Sequence, residues 1–218
     1  MFVKINDIEM YYEKRGTGTP VVMLHGNRED HTIFLPLARK LEAYYTLYLV
    51  DARNHGKTTK TGVYDYQQMT RDIHAFIMQL KLSKPVVFGF SDGGIVGLML
   101  ASRHPNLLSK LIVAGANLHP GGLDKKVLKT YKEQYKANLD PYVGMMLKQP
   151  RIRACALRCI PVPTLVIAGE HDVVKQTHTL KIHRLIRDSQ CLIMPDRHHD
   201  DYVVNSDELA PVISNFLE

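Results

Sequence analysis

The chain predicts an α/β fold, a doubly wound and mostly parallel sheet of about eight strands, and three observations carry that prediction. Short apolar runs rich in β-branched residues alternate with stretches of helical periodicity along the 218 residues, the pattern of strands joined by crossover helices that cover both faces of a sheet. No linker, internal repeat or low-complexity tract interrupts the series, so one domain over residues 1–218 is expected. The stretch from about 117 to 162 breaks the rhythm and reads as an insertion between two strands.

Phe2 to Ile5 and Met10 to Lys14 alternate apolar with polar residues around the turn-forming Asn6-Asp7 and read as an antiparallel pair. Val21 to Leu24 is wholly apolar, as a strand buried on both faces should be, and a helix is expected from about Thr32 to Glu42. Thr46 to Val50 is the next strand and Tyr66 to Leu80 the next helix. Val86 to Phe88 is a further strand, followed by helical spacing from Ile95 to His104 and a strand at Ser109 to Ala114. Beyond the insertion, Pro163 to Gly169 resumes the sheet, Thr177 to Arg187 crosses over as a helix, Cys191 to Met194 forms the last strand, and Asp207 to Leu217 closes the chain as a helix. Ligands of such sheets bind beyond the C-terminal ends of the strands.

Gly89-Phe90-Ser91-Asp92-Gly93 lies at one of those ends, between a strand and a helix. That context makes it a nucleophile elbow: the flanking glycines remove the Cβ atoms that would obstruct a tight turn, and the turn lifts the Ser91 hydroxyl clear of the backbone at a helix N-terminus. A serine hydroxyl needs a histidine base and a carboxylate to orient it, both downstream in this chain order. Asp172 follows the strand ending at Gly169, and His198-His199 follow the strand ending at Met194.

These motifs make the chain resemble the alpha/beta-hydrolase superfamily along nearly its whole length. Val21-Val-Met-Leu-His-Gly26 is similar to the family's third strand and oxyanion loop, Asp51-Ala-Arg-Asn-His-Gly56 to its Asp-x-Arg-x-x-Gly turn, and Gly169-Glu-His-Asp172 to its Gly-x-x-Asp acid loop. Pro195 with His199 four residues on resembles the closing Pro-x-x-Gly-His pattern, departing from it at His198, where glycine is usual. That spacing, and the helix expected near Ser206-Asp207-Glu208, favour His199 over His198 as base.

The resemblance implies a triad of Ser91, Asp172 and His199 and an oxyanion hole made by the backbone N–H groups of Asn27 and Asp92. Their side chains are expected to be secondary to that role, with that of Asp92 pointing elsewhere on the turn. It also implies that the insertion is a cap that selects the substrate. At about 45 residues it is short, and a shallow or partly open pocket is expected. Met145 and Met146 are candidates for the substrate pocket, with packing of the cap on the core as the other role open to them.

Charge is concentrated in the insertion. Residues 124 to 158 hold nine basic and three acidic residues, while the rest of the chain balances, so this window carries the whole formal net charge of +6. Lys125, Lys129, Lys132 and Lys136 recur at helical spacing opposite Val127, Leu128 and Tyr131 and read as a solvated helix face, with steering of an anionic substrate as the alternative. No nucleic-acid-reading module accompanies the charge. His171, His198, His199, Asp200 and Asp201 show none of the spaced metal motifs, and neither a metal nor a cofactor is expected. The N-terminus has no long apolar region, so no membrane span is expected and a cytoplasmic location is the default. Cys155, Cys159 and Cys191 are read as small buried hydrophobes. Oligomeric state is not addressed by these features.

The expected activity is hydrolysis of a small ester, thioester, lactone or amide through an acyl group carried on Ser91, with carboxylesterase as the leading label. Carbon–carbon bond hydrolysis on the same fold, and a signalling protein that binds its ligand in a hydrolase pocket, stay open. Activity should rise with pH as a histidine deprotonates, near pH 6.5 if unperturbed.

Overall fold

A computed structural model describes residues 1–218. Eight strands form one sheet: β1 (Phe2–Ile5), β2 (Ile8–Arg15), β3 (Thr19–Leu24), β4 (Tyr45–Val50), β5 (Val86–Phe90), β6 (Leu111–Ala114), β7 (Thr164–Gly169) and β8 (Ser189–Met194). Their spatial order is β1-β2-β4-β3-β5-β6-β7-β8. β1 and β2 are antiparallel to their neighbours, and the remaining five pairings are parallel.

Eight α-helices accompany the sheet: α1 (Leu35–Leu41), α2 (Tyr66–Gln79), α3 (Asp92–Arg103), α4 (Lys125–Asn138), α5 (Pro141–Lys148), α6 (Ala154–Arg158), α7 (Gln176–Leu185) and α8 (Ala210–Leu217). Alternation along each parallel strand sends neighbouring side chains to opposite cores. Val22 and Leu24 of β3 join α2, α3, α6 and α7 on one face, while Val21 and Met23 join α1 and α8 on the other. Both faces are covered, which is why these strands are uniformly apolar.

Every expected element is present, and the differences lie at the boundaries. The first helix begins as a 3₁₀ turn at His31–Phe34, capped by the Asp30 side chain, before α1 continues with Pro36 in its first turn. α3 starts at Asp92, three residues before the apolar periodicity does, because the helix springs directly from the elbow. α8 starts at Ala210, where Pro211 occupies the first turn.

Two expectations need correction. Cys155 and Cys159 are exposed and Cys191 is half-buried, because α6 is only five residues long and turns Leu157 inward instead. Met145 is 4% exposed and packs into the main core, since α5 presents Val143, Gly144 and Met145 to the body of the protein; Met146 is left toward the cleft. The insertion between β6 and β7 contains α4, α5 and α6, and α4 buries no residue.

Candidate active site

Ser91 sits between β5 and α3 with φ 51° and ψ −113°, a conformation that L-residues adopt only where the surroundings enforce it. Its N–H donates to the Ala114 carbonyl at 2.8 Å and the Gly93 N–H donates to the His25 carbonyl at 3.1 Å, so the elbow is tied to the ends of β6 and β3. A Cβ at Gly89 would collide with the Gly93 carbonyl, and one at Gly93 with the Leu24 carbonyl. The two glycines thus bring α3 against β3 and β5 closely enough to hold the serine in its strained turn.

His199 lies on the loop after β8. Its Nε2 is 3.0 Å from Ser91 Oγ, and its Nδ1 is 2.7 Å from Asp172 Oδ1. Asp172, in the loop after β7, also accepts the backbone N–H of Val174 on Oδ1 and that of Gly169 on Oδ2. An ionised Asp172 requires the Nδ1–H tautomer, which leaves Nε2 as the acceptor facing Ser91. Burial works against the charged imidazole, but the hydrogen bond and charge of Asp172, with smaller contributions from Asp200 and Glu29, outweigh it and raise the His199 pKa. His198 is exposed and donates its backbone N–H to Asp201, away from the serine.

Gly115, at the end of β6 with φ +61°, makes room for this ring: a Cβ there would lie 2.6 Å from His199 Cε1. Nothing in the sequence pattern singles out this glycine. Phe90 closes the other side, its ring centroid 5.0 Å from that of His199.

The loop after β3 completes the arrangement. His25 is buried, with Nδ1 2.7 Å from the Gly26 carbonyl and Nε2 accepting the Ala52 N–H at 3.1 Å. Burial, helped by His55 nearby, pushes its pKa down to about 4, so the ring is neutral and donates from Nδ1. The backbone N–H groups of Asn27 and Asp92 have no acceptor within the protein.

Beside those backbone groups, the two side chains are bonded to each other. Asn27 Nδ2 donates to Asp92 Oδ2 at 2.9 Å, and the Tyr66 hydroxyl donates to Asp92 Oδ1 at 2.5 Å. Asp92 is therefore a buried strut that joins the two candidate donors. Burial raises its pKa, partly offset by those two hydrogen bonds. An aspartate directly after an elbow serine is the sequence signal for a buried polar partner, and Tyr66, 26 residues upstream, could be recognised only in three dimensions.

Two cavities meet at Ser91 and His199. One, of about 30 Å³, runs past Gly115, Leu123, Met146, Val173 and Val174. The other, of about 300 Å³, is bounded by the loop Gly26 to Glu29 and by Tyr131, Gln134 and Met146. Met146 lines both and Met145 neither, and no lysine lines either one. The cap is fastened over the second cavity by an Arg28–Asp140 ion pair and by the Tyr142 hydroxyl, which donates to the Asn54 carbonyl at 2.6 Å.

Carboxylates and histidines cluster within 4.8 Å at Asp30, His31 and Asp51 and at Glu170, His171 and Asp196. Asp51 in the first already accepts the His31 and Lys57 N–H groups and contacts the His31 ring, which accounts for it as a turn-holding network. Neither cluster contains a residue that touches Ser91.

A model of the family described as the alpha/beta hydrolase fold matches residues 19–130, just over half of the chain. The chain belongs to the alpha/beta hydrolase fold family. Among curated relatives, this alpha/beta hydrolase is 23% identical to the human serine hydrolase BPHL over 99% of its own length and 85% of that protein's. It is 24% identical to the AB hydrolase superfamily protein YisY of Bacillus subtilis, over 96% and 95% of the two chains. Among solved structures it superposes on an esterase from Exiguobacterium antarcticum with a TM-score of 0.87 at 24% identity, covering 100% and 99% of the two chains. For an enol-lactonase from Burkholderia xenovorans the TM-score is 0.82 at 18% identity, covering 100% and 99%. No helix of this hydrolase is long and apolar enough to cross a membrane.

Proposed function

We propose that the protein is a serine hydrolase that cleaves a small ester, thioester, lactone or amide, with carboxylesterase activity as its simplest form. The observation that carries this reading is the imidazole of His199, which bridges Ser91 at 3.0 Å and the buried Asp172 at 2.7 Å. Both distances lie within the reach needed for proton transfer and for orientation of the base.

In the mechanism, Ser91 Oγ attacks the acyl carbon while His199 Nε2 takes its proton. Asp172 holds the Nδ1–H tautomer and stabilises the imidazolium. The proton then passes to the leaving group as the bond to the acyl carbon breaks, leaving an acyl ester on Ser91. Water, deprotonated by the same imidazole, releases the acid. The N–H groups of Asn27 and Asp92 meet the developing oxyanion, and each such donor is typically worth about 3 kcal/mol in the transition state. The Asn27–Asp92 side-chain bond holds these two donors at a set separation. A 30 Å³ cavity on one side of Ser91 and a 300 Å³ cavity on the other fit a short group on one side of the scissile bond and a larger one on the other.

Treatment with a fluorophosphonate, read by intact mass, tests the reading. Stoichiometric labelling is expected for the wild type and for His198→Ala, and none for Ser91→Ala or His199→Ala. An unlabelled wild type would overturn the assignment.

A further inference from the structure

Glu29 is a carboxyl beside the nucleophile that the hydrolytic steps do not use. Its two oxygens differ: Oε2 accepts the Gly26 N–H at 2.7 Å, while Oε1 has no hydrogen-bond donor within the protein. No cation pairs with it. Arg28, the adjacent guanidinium, is engaged with Asp140 and lies 5.7 Å from the Tyr142 ring centroid. A Cβ built on Gly26 would fall 2.6 Å from Glu29 Oε2 and 3.1 Å from Ser91 Cβ, so the carboxyl and the nucleophile converge on one point. Both belong to the wall of the 300 Å³ cavity.

A half-buried carboxylate with neither countercharge nor a full set of donors is costly unless something completes it. The surroundings select what that is. The charged groups that bear on Glu29 are His199, which favours its ionised form, and the carboxylates Asp92 and Asp200, which oppose it, and none of the three forms an ion pair with it. An anionic or purely apolar substrate group would leave the free oxygen unsatisfied, whereas a cation would supply the missing charge.

Resting on the serine-hydrolase reading above, we propose that Glu29 is a specificity-determining residue, whose carboxylate receives a cationic group, an alkylammonium, carried by the substrate on the side of the scissile bond that enters the 300 Å³ cavity. Ionisation is consistent with this arrangement. Burial pushes the carboxyl up to about 7, against the Gly26 N–H and His199, which lower it, and together with Asp92 and Asp200, which raise it. A bound cation would favour the ionised form, so recognition strengthens as the pH rises through that range.

The experiment compares kcat/KM within two shape-matched pairs, each a cationic ester and its neutral isostere. Acetylcholine against 3,3-dimethylbutyl acetate probes the leaving-group side, and p-nitrophenyl 4-(trimethylammonio)butanoate against p-nitrophenyl 5,5-dimethylhexanoate probes the acyl side. In one pair the cationic member is expected to be favoured about tenfold or more, the scale of a charge-assisted contact. That ratio should fall to near one in Glu29→Gln, which keeps an oxygen for the Gly26 N–H. A wild-type ratio of one or less in both pairs, or a ratio unchanged in Glu29→Gln, would overturn the proposal. Fluorophosphonate labelling run in parallel separates the two levels. Labelled Ser91 without a cation preference removes the role of Glu29 and keeps the hydrolase, whereas no labelling and no hydrolysis removes both.

Discussion

The two walls of the active-site cleft are built in different ways. On the sheet side, Ser91, His199 and the loop after β3 rest on backbone pressed against backbone: Gly89 and Gly93 have no space for a Cβ, and Gly115 has none beside the imidazole. On the cap side, α4 runs for 14 residues without burying one. That wall is held through α5, the Arg28–Asp140 pair, the Tyr142–Asn54 hydrogen bond, and Gln149, which accepts the Tyr66 N–H and donates to Asp65, both at 3.2 Å. Close packing makes the first wall intolerant of displacement, whereas the second can be altered at the cost of a few polar contacts. The triad and the Glu29 carboxyl thus stand on the wall where atoms cannot move, while the cap wall that faces them can change without unfolding the sheet.

Substitutions on the sheet side should have the largest effects. Asp172→Asn keeps the shape of the acid loop but removes the charge that fixes the His199 tautomer, and kcat should fall by about four orders of magnitude. Steady-state kinetics on a p-nitrophenyl ester would check this, and a loss below tenfold would remove Asp172 from the triad. Gly115→Ala inserts a methyl group where the imidazole ring lies and should cost about a hundredfold in kcat through displacement of the base. Unchanged kinetics in a folded Gly115→Ala variant would mean that the base is not confined as described.

The pH profile sharpens the same contrast. The His199 pKa is raised, the Asp172 hydrogen bond and charge prevailing over burial, and the imidazole must be neutral to accept the Ser91 proton. The limb of kcat/KM should therefore be half-maximal above pH 6.5 and fall about tenfold per pH unit below that point. In Asp172→Asn the residual activity should titrate at lower pH, since burial is then left without its main opponent. A midpoint at or below 6.5 in the wild type would contradict this balance. The smallest effect is expected on the cap: Tyr142→Phe removes one hydrogen bond to the Asn54 carbonyl and should raise KM by about threefold with kcat nearly unchanged. A large drop in kcat instead would show that the cap helps assemble the catalytic groups.

The two walls were also unequally legible in the sequence. Strand and helix order followed from the alternation of apolar runs, and the elbow, acid and histidine positions from local spacing, because strand ends and the loops after them are contiguous in the chain. His199 could be preferred over His198 from its spacing to Pro195, and the geometry brings His199, not its neighbour, to Ser91. For Asp92 the elbow motif points to a backbone role and says nothing of the partners of its carboxylate, which joins Asn27 to Tyr66 across three separate elements. Met145 and Met146 are adjacent and chemically identical in sequence, and only the pitch of α5 sends one to the core and the other to the cleft.

What the sequence determined by itself is therefore the order of elements and the chemistry-bearing residues at the strand ends, since hydrophobic periodicity and turn chemistry act over a few residues. Only the tertiary structure decided that Gly115 makes room for the imidazole, that Asp92 ties the two donors together, and that Glu29 converges on Ser91 with one oxygen free. Those relations join residues from 60 to more than 80 positions apart, and chain folding alone sets their distances.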